Sequence, residues 1–230
     1  MPLIAIEQPS PDAMLGLWNM SDDVAACGVL YDEAAVLYKS ESRRHEYVCV
    51  RLLLRAMLGA PIPTISHDPN GRPRLSNGMN ISISHTRDVC AAVVSERQTV
   101  AVDVEYISDR VGKVASHFLR DDEHASETVP LLLHWCAKET VYKLFPDDNL
   151  AFEDMQVMSM QAQQRHPAVA NESSMHREHA VWQCQEAGTM LVRHHPRRLI
   201  VNVAYRIYPA HILTYAFRGQ EKEAQKHVNR

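Results

Sequence analysis

The sequence predicts an α+β fold of two similar lobes, pseudo-twofold related, each a small antiparallel sheet packed with helices. Three observations carry this. The runs "MNISIS", "VCAAVV" and "TVAVDVE" follow one another through the linkers "HTRD" and "SERQ", which are too short for a crossover helix. Helical patterns flank these strands at 41–58 and 129–145, and the final third returns to strand-like runs. Both halves therefore share a plan of helix plus antiparallel sheet rather than a doubly wound design.

Along the chain, "LIAI" and "MLGLWNM" read as short strands separated by the turn "QPSPD". Ser21 with Asp22 and Asp23 reads as a helix start, acids being favoured near the positive end of the helix dipole. In "ESRRHEYVCVRLLLRAML", residues 41–58, Tyr47, Val50, Leu54 and Met57 form an apolar stripe, and Gly59 with Pro61 supplies the stop. Arg44, Arg51 and Arg55 share another side of that helix, which suits a solvated flank or a phosphate site. Asn70-Gly71 is a turn signal, and the three strand runs follow. The stretch 108–146 turns helical, with Pro130 in a first turn and Pro146 at the close.

After these come "MQVMSM", "AVWQCQ", "TMLVR", "LIVNVAYRI" and "ILTYAF" as strands, with "QQRHPAVANESSMHREH" as a surface loop. The lobe boundary is expected just after Glu105. That gives an N-terminal lobe at 1–105, a C-terminal lobe at 106–217 and a polar tail at 218–230.

Composition narrows the function. The 24 basic against 28 acidic residues argue against bulk nucleic-acid binding. Cys27, Cys49, Cys90, Cys136 and Cys184 are scattered without a CxxC pair, so neither a disulfide framework nor a zinc site is indicated. No signal peptide and no membrane-spanning apolar run is read, so the chain is expected to be cytoplasmic and off the membrane.

In "VAVDVE", alternation places Val100, Val102 and Val104 on one face and Ala101, Asp103 and Glu105 on the other. Two like charges on one strand face repel unless they are solvated, protonated or share a counter-charge. A solvated strand end satisfies that condition, and so does a hard cation such as Mg²⁺. In "WCAKETVYK", Trp135, Glu139 and Lys143 stack at four-residue intervals, either as a surface ion pair beside a core tryptophan or as a third acid with a phosphate-binding ammonium. Lys138 points about 100° away from Glu139 and is placed to engage another part of a substrate. Ser84 and His85 end a strand at a tight turn, where a cap and a ligand contact read alike. GxGxxG and GxxxxGK[ST] cradles are absent from the sequence.

Four blocks in order, "NGRPRL" (70–75), "NISISHT" (80–86), "VAVDVE" (100–105) and "WCAKETVYK" (135–143), give the chain its resemblance to a family. It resembles the 4'-phosphopantetheinyl transferases, in their Sfp-like two-lobed branch, whose signature runs roughly (V/I)G(I/V)D(I/V)E and then WxxKE(A/S)xxK. "RRHEYVCVR" (43–51) is similar to that family's first-lobe helix.

The resemblance implies a holo-acyl-carrier-protein synthase type of enzyme. It would be Mg²⁺-dependent, would take coenzyme A as substrate and would release 3',5'-ADP. Its partner would be an apo acyl or peptidyl carrier protein of fatty-acid, polyketide or nonribosomal peptide synthesis, and the enzyme itself a monomer. It further implies Asp103, Glu105 and Glu139 as metal ligands, with Glu139 or Glu123 as the base. Lys143 would contact the coenzyme A phosphates and assist the leaving group. Arg44, Arg51, Arg72, Ser84 and His85 would contact the phosphates, with Lys138 beside them. Asp103 and Glu105 would end the first lobe and Glu139 would come from the second, placing the metal between lobes.

Two departures from the family pattern stand out. Ala101 replaces a glycine on the acids' strand face, adding one methyl, the smallest group that could crowd the diphosphate, and Thr140 replaces Ala or Ser; neither deletes a charged group, so activity is expected. A noncatalytic coenzyme A- or carrier-binding homologue and a Mg²⁺-dependent diphosphate hydrolase are the competing readings.

Overall fold

The computed structural model describes residues 2–21, 28–163 and 182–219. β1 (Leu3–Ser10) and β2 (Ala13–Asn19) form a hairpin, and α1 (Val29–Leu37) and α2 (Glu41–Leu58) follow. Gly28, at φ 53, caps the start of α1. Ser21 is not in a helix, and Asp22, Asp23 and Cys27 lie outside the described residues. The expected stripe of α2 turns inward: Val50, Leu54 and Met57 are buried, and the helix stops at Gly59, whose φ of 82 suits glycine alone.

β3 (Ile65–His67) and β4 (Pro73–Leu75) make a two-stranded ribbon around the Asn70-Gly71 turn. β5 (Asn80–Thr86) and β6 (Val89–Ser95) then complete an antiparallel sheet of order β1-β2-β6-β5. Every residue of β6 is buried. Its even positions Cys90, Ala92 and Val94 pack against α2, while Val89, Ala91 and Val93 face the other lobe. That two-sided burial explains why the run is continuously apolar instead of alternating.

The second sheet has order β7-β11-β10-β9-β8, all antiparallel. It comprises β7 (Gln98–Tyr106), β8 (Met155–Ala162), β9 (Glu186–His194), β10 (Leu199–Ile207) and β11 (His211–Gly219). Short α3 (Ala115–Phe118) and long α4 (Thr128–Leu144) pack on it. Val100, Val102 and Val104 join Leu15 and Leu17 of β2 and the odd positions of β6 in a shared core that stacks the two sheets. Each such buried valine contributes on the order of 1.5–3 kcal/mol.

The α+β, two-lobed expectation holds, with two corrections of detail. β7 pairs with β11 along its whole length, so in sheet membership it belongs to the C-terminal unit and not to a lobe ending at Glu105. The chain changes sheet at the two-residue turn between β6 and β7, because the valine face of β7 is buried by stacking on β6 rather than by pairing beside it. Described residues 182–185 of "AVWQCQ" form no strand; Trp182 instead stacks on His211. Residues 218 and 219 close β11, and the rest of the expected tail and most of the expected loop lie outside the described residues. No helix among the described residues is long and apolar enough to cross a membrane.

Candidate active site

The alternation of β7 turns Ala101, Asp103 and Glu105 toward α4, whose four-residue spacing turns Trp135, Glu139 and Lys143 toward them. These side chains, Ala101 excepted, line a cavity of about 320 Å³ whose opposite wall is Ile83, Ser84 and His85 of β5. All three acids therefore come from the C-terminal unit, and the N-terminal lobe supplies the facing wall. This corrects the expectation that the acids come from both lobes.

Lys143 Nζ lies 2.6 Å from Asp103 Oδ1, 3.2 Å from the Val102 carbonyl and 3.3 Å from Ser84 Oγ. It turns to Asp103 and not to Glu139, four residues before it in the helix. Ser84 Oγ donates to Asp103 Oδ1 at 2.9 Å, and Thr86 Oγ1 donates to Glu105 Oε2 at 3.2 Å. Asp103 Oδ2 is buried without a hydrogen-bond partner.

Burial first, and then the charge of Asp103, raise the carboxyls of Glu105 and Glu139 above the usual glutamate range. Lys143 opposes both shifts, helped at Glu105 by hydrogen bonds from Thr86 and Trp135. Beneath them, burial and then Asp103 and Glu105 push the Cys136 thiol up, keeping it neutral. Three carboxylates against one ammonium leave a formal excess of two negative charges when all are ionised. That donor set, with its orphaned oxygen, fits a hard divalent cation. The carboxylates line the cavity but do not close on one point. Among the described residues no three His, Cys, Asp or Glu side chains are already arranged to ligate. Lys143 supplies a counter-charge to Asp103.

Cationic side chains flank the acids. His85 and Ile83 also border a hollow of about 360 Å³ with Arg43, Arg51 and His67. Lys143 and Ile83 border another, of about 560 Å³, with Arg72, Tyr142 and Asp147. Arg51 stacks on the Tyr47 ring, 3.1 Å from its centroid. Burial lowers the pKa of Arg51 and of Arg72, but a guanidinium stays charged well beyond neutral pH. His85 Nε2 sits 3.5 Å from Glu46 Oε2. Arg44 is not brought to these hollows; it is exposed and donates to the Tyr38 carbonyl at 2.7 Å.

Two expected site residues are placed elsewhere. Lys138 and Glu123 pair at 2.6 Å with side-chain exposures of 0% and 1%. The ammonium also donates to the carbonyls of Phe118 and Phe152, while Glu123 accepts from the amides of Arg120 and Val157. Both groups are saturated inside the C-terminal lobe, so Lys138 cannot meet coenzyme A and Glu123 cannot take a proton from an acceptor. Ala101 is fully buried in the core against α4 and does not line the acid cavity, so its methyl does not crowd that space. Thr140 bonds Thr214 of β11 at 2.7 Å, a lateral tie between helix and sheet that Ala would lack.

Sequence reasoning passed over Thr86 and Glu46 and took Trp135 only as core. A hydroxyl two residues beyond Ser84 on the same strand face was the available signal for Thr86.

Residues 32–95 match the family model described as the 4'-phosphopantetheinyl transferase N-terminal domain, and residues 99–196 match that of the 4'-phosphopantetheinyl transferase superfamily. The gap between the two matches falls on the turn where the chain changes sheet. The 4'-phosphopantetheinyl transferase PptT of Mycobacterium tuberculosis (strain ATCC 25618 / H37Rv) is 32% identical over 145 residues. The match takes in 56% of this chain and 64% of that relative, so the chain spans just under two thirds of the relative's length.

Proposed function

The chain belongs to the 4'-phosphopantetheinyl transferase superfamily, and from that membership we propose that it moves the 4'-phosphopantetheine arm of coenzyme A onto a serine of an apo acyl or peptidyl carrier protein. The observation that carries this reading is one cavity lined by Asp103, Glu105, Glu139 and Lys143 and flanked by His85, Arg51 and Arg72. Acids alone would repel a diphosphate and cations alone would not need one buried and two half-buried carboxylates; the combination suits a metal-bound diphosphate.

Asp103, Glu105 and Glu139 would hold a divalent cation, Mg²⁺ by the family's habit, which offsets negative charge on the diphosphate when bound. Lys143 then exchanges Asp103 for a phosphate oxygen and remains beside the leaving group as a point charge. Arg51, Arg72 and His85 orient the outlying phosphate and diphosphate oxygens. The carrier serine oxygen attacks the phosphorus bearing the pantetheine arm, and its proton passes to the carboxylate oxygen of Glu139 that the cation leaves free, since Glu139 lines the same cavity. The bond from that phosphorus to the 3',5'-ADP oxygen breaks, and 3',5'-ADP leaves.

Incubation with coenzyme A, Mg²⁺ and a panel of apo carriers should add about 340 Da to a carrier serine, read by mass spectrometry. Binding of coenzyme A without any added mass across the panel would favour a noncatalytic homologue. Consumption of coenzyme A without a carrier would favour a hydrolase. Either result would overturn the proposal.

A further inference from the structure

β5 and β7 run side by side at the junction of the lobes, but hydroxyls of one strand meet the backbone of the other. Val102 N donates to Ser82 Oγ at 3.1 Å, Val104 N to Ser84 Oγ at 3.3 Å and Tyr106 N to Thr86 Oγ1 at 3.3 Å. Alternate residues of β5 thus satisfy alternate amides of β7, the spacing at which strand side chains share a face. A hydroxyl that accepts one bond keeps a proton to donate. Ser84 gives its proton to Asp103 and Thr86 gives its to Glu105, in each case the residue just before the amide it accepts from. At the third tooth that preceding residue is Ala101, so Ser82 has no carboxylate to hold.

We infer that Thr86 is a positioning residue for Glu105: anchored on the Tyr106 amide, its hydroxyl holds the carboxylate in the cavity that Asp103 and Glu139 also line. This rests on the proposed cation site. The need is greater at Glu105, since Lys143 bonds Asp103 directly and gives Glu105 no such tie, leaving it to Thr86 and, more weakly, Trp135. Ser84 repeats the arrangement at Asp103 but also contacts Lys143, so Thr86 isolates the effect.

Electron paramagnetic resonance of Mn²⁺ bound to the full chain, without coenzyme A, tests this against Ser82→Ala as the matched control. Thr86→Val should weaken Mn²⁺ binding about 10-fold, in line with other hydrogen-bond partners of metal ligands. Thr86→Ser should restore it, and Thr86→Val should add nothing in a Glu105→Gln background. Ser82→Ala, which loses the same kind of amide acceptor, should leave the affinity unchanged. Should Thr86→Val fail to fold by circular dichroism, Thr86→Ala takes its place with the same expectations. Equal losses in the Ser82 and Thr86 variants would reduce Thr86 to a structural role, and parental affinity in the Thr86 variant would also overturn the inference. If the parent itself binds no Mn²⁺, the cation site fails and this inference with it.

Discussion

Glu105 and Glu139 are held in the native chain with a stronger grip on their protons than an unfolded chain would have. Burial is the larger cause and the neighbouring Asp103 the next. The sign follows from linkage: both folded pKa values lie above the ordinary 4.5, so the stability these groups lend is present below that value and is lost as pH rises through the folded values. Glu139→Gln removes one such group. With metal chelated, the variant should therefore be more stable than the parent toward denaturant above this window and lose its advantage below about pH 4.5. An unchanged difference across pH would mean that Glu139 ionises freely. At this scale the sequence was informative about charge and face, since alternation in "VAVDVE" placed both acids together. It misled about Lys138, expected at the substrate, because a lysine reads as exposed until its buried acceptor, fifteen residues earlier in sequence, is seen.

At the level of elements, α4 carries Glu139 and Lys143, and the Lys138–Glu123 pair is one of its anchors. That pair ties the helix to the carbonyls of Phe118 and Phe152 and, through Glu123, to the Val157 amide at the start of β8. Burial pushes the Lys138 ammonium toward losing its proton, and Glu123 resists this. Lys138→Met would leave a carboxylate buried without its counter-ion, which costs about 3–5 kcal/mol. Lys138→Met combined with Glu123→Leu should recover part of that loss, as denaturant midpoints would show; additive losses would argue that the two groups do not act as a pair. The α2 helix was legible to the residue because stripe, glycine stop and proline agreed. Residues 182–185 were misread as strand because Trp182 serves an aromatic contact on His211 and not a ladder.

For the whole molecule, the two sheets meet through a valine face on one side of β7 and a cavity on the other. That strand therefore joins the interlobe core to the acid-lined cavity. Its membership in the second sheet was not legible, because a two-residue linker after β6 implies a hairpin, and only the pairing of both edges of β6, with β2 and with β5, leaves β7 nowhere to pair beside it. The consequence is that one lobe presents the three acids and the other presents the wall with Ser84 and His85, with Arg51 and Arg72 in the adjoining hollows; on the proposed reading a diphosphate and its cation would lie between them. Calorimetric titration of coenzyme A, with and without Mg²⁺, into the parent and Asp103→Ala tests this most directly. Mg²⁺ should tighten coenzyme A binding to the parent and have no such effect on an Asp103→Ala variant whose thermal unfolding shows it folded. The same Mg²⁺ dependence in both proteins would contradict a cation held by these acids.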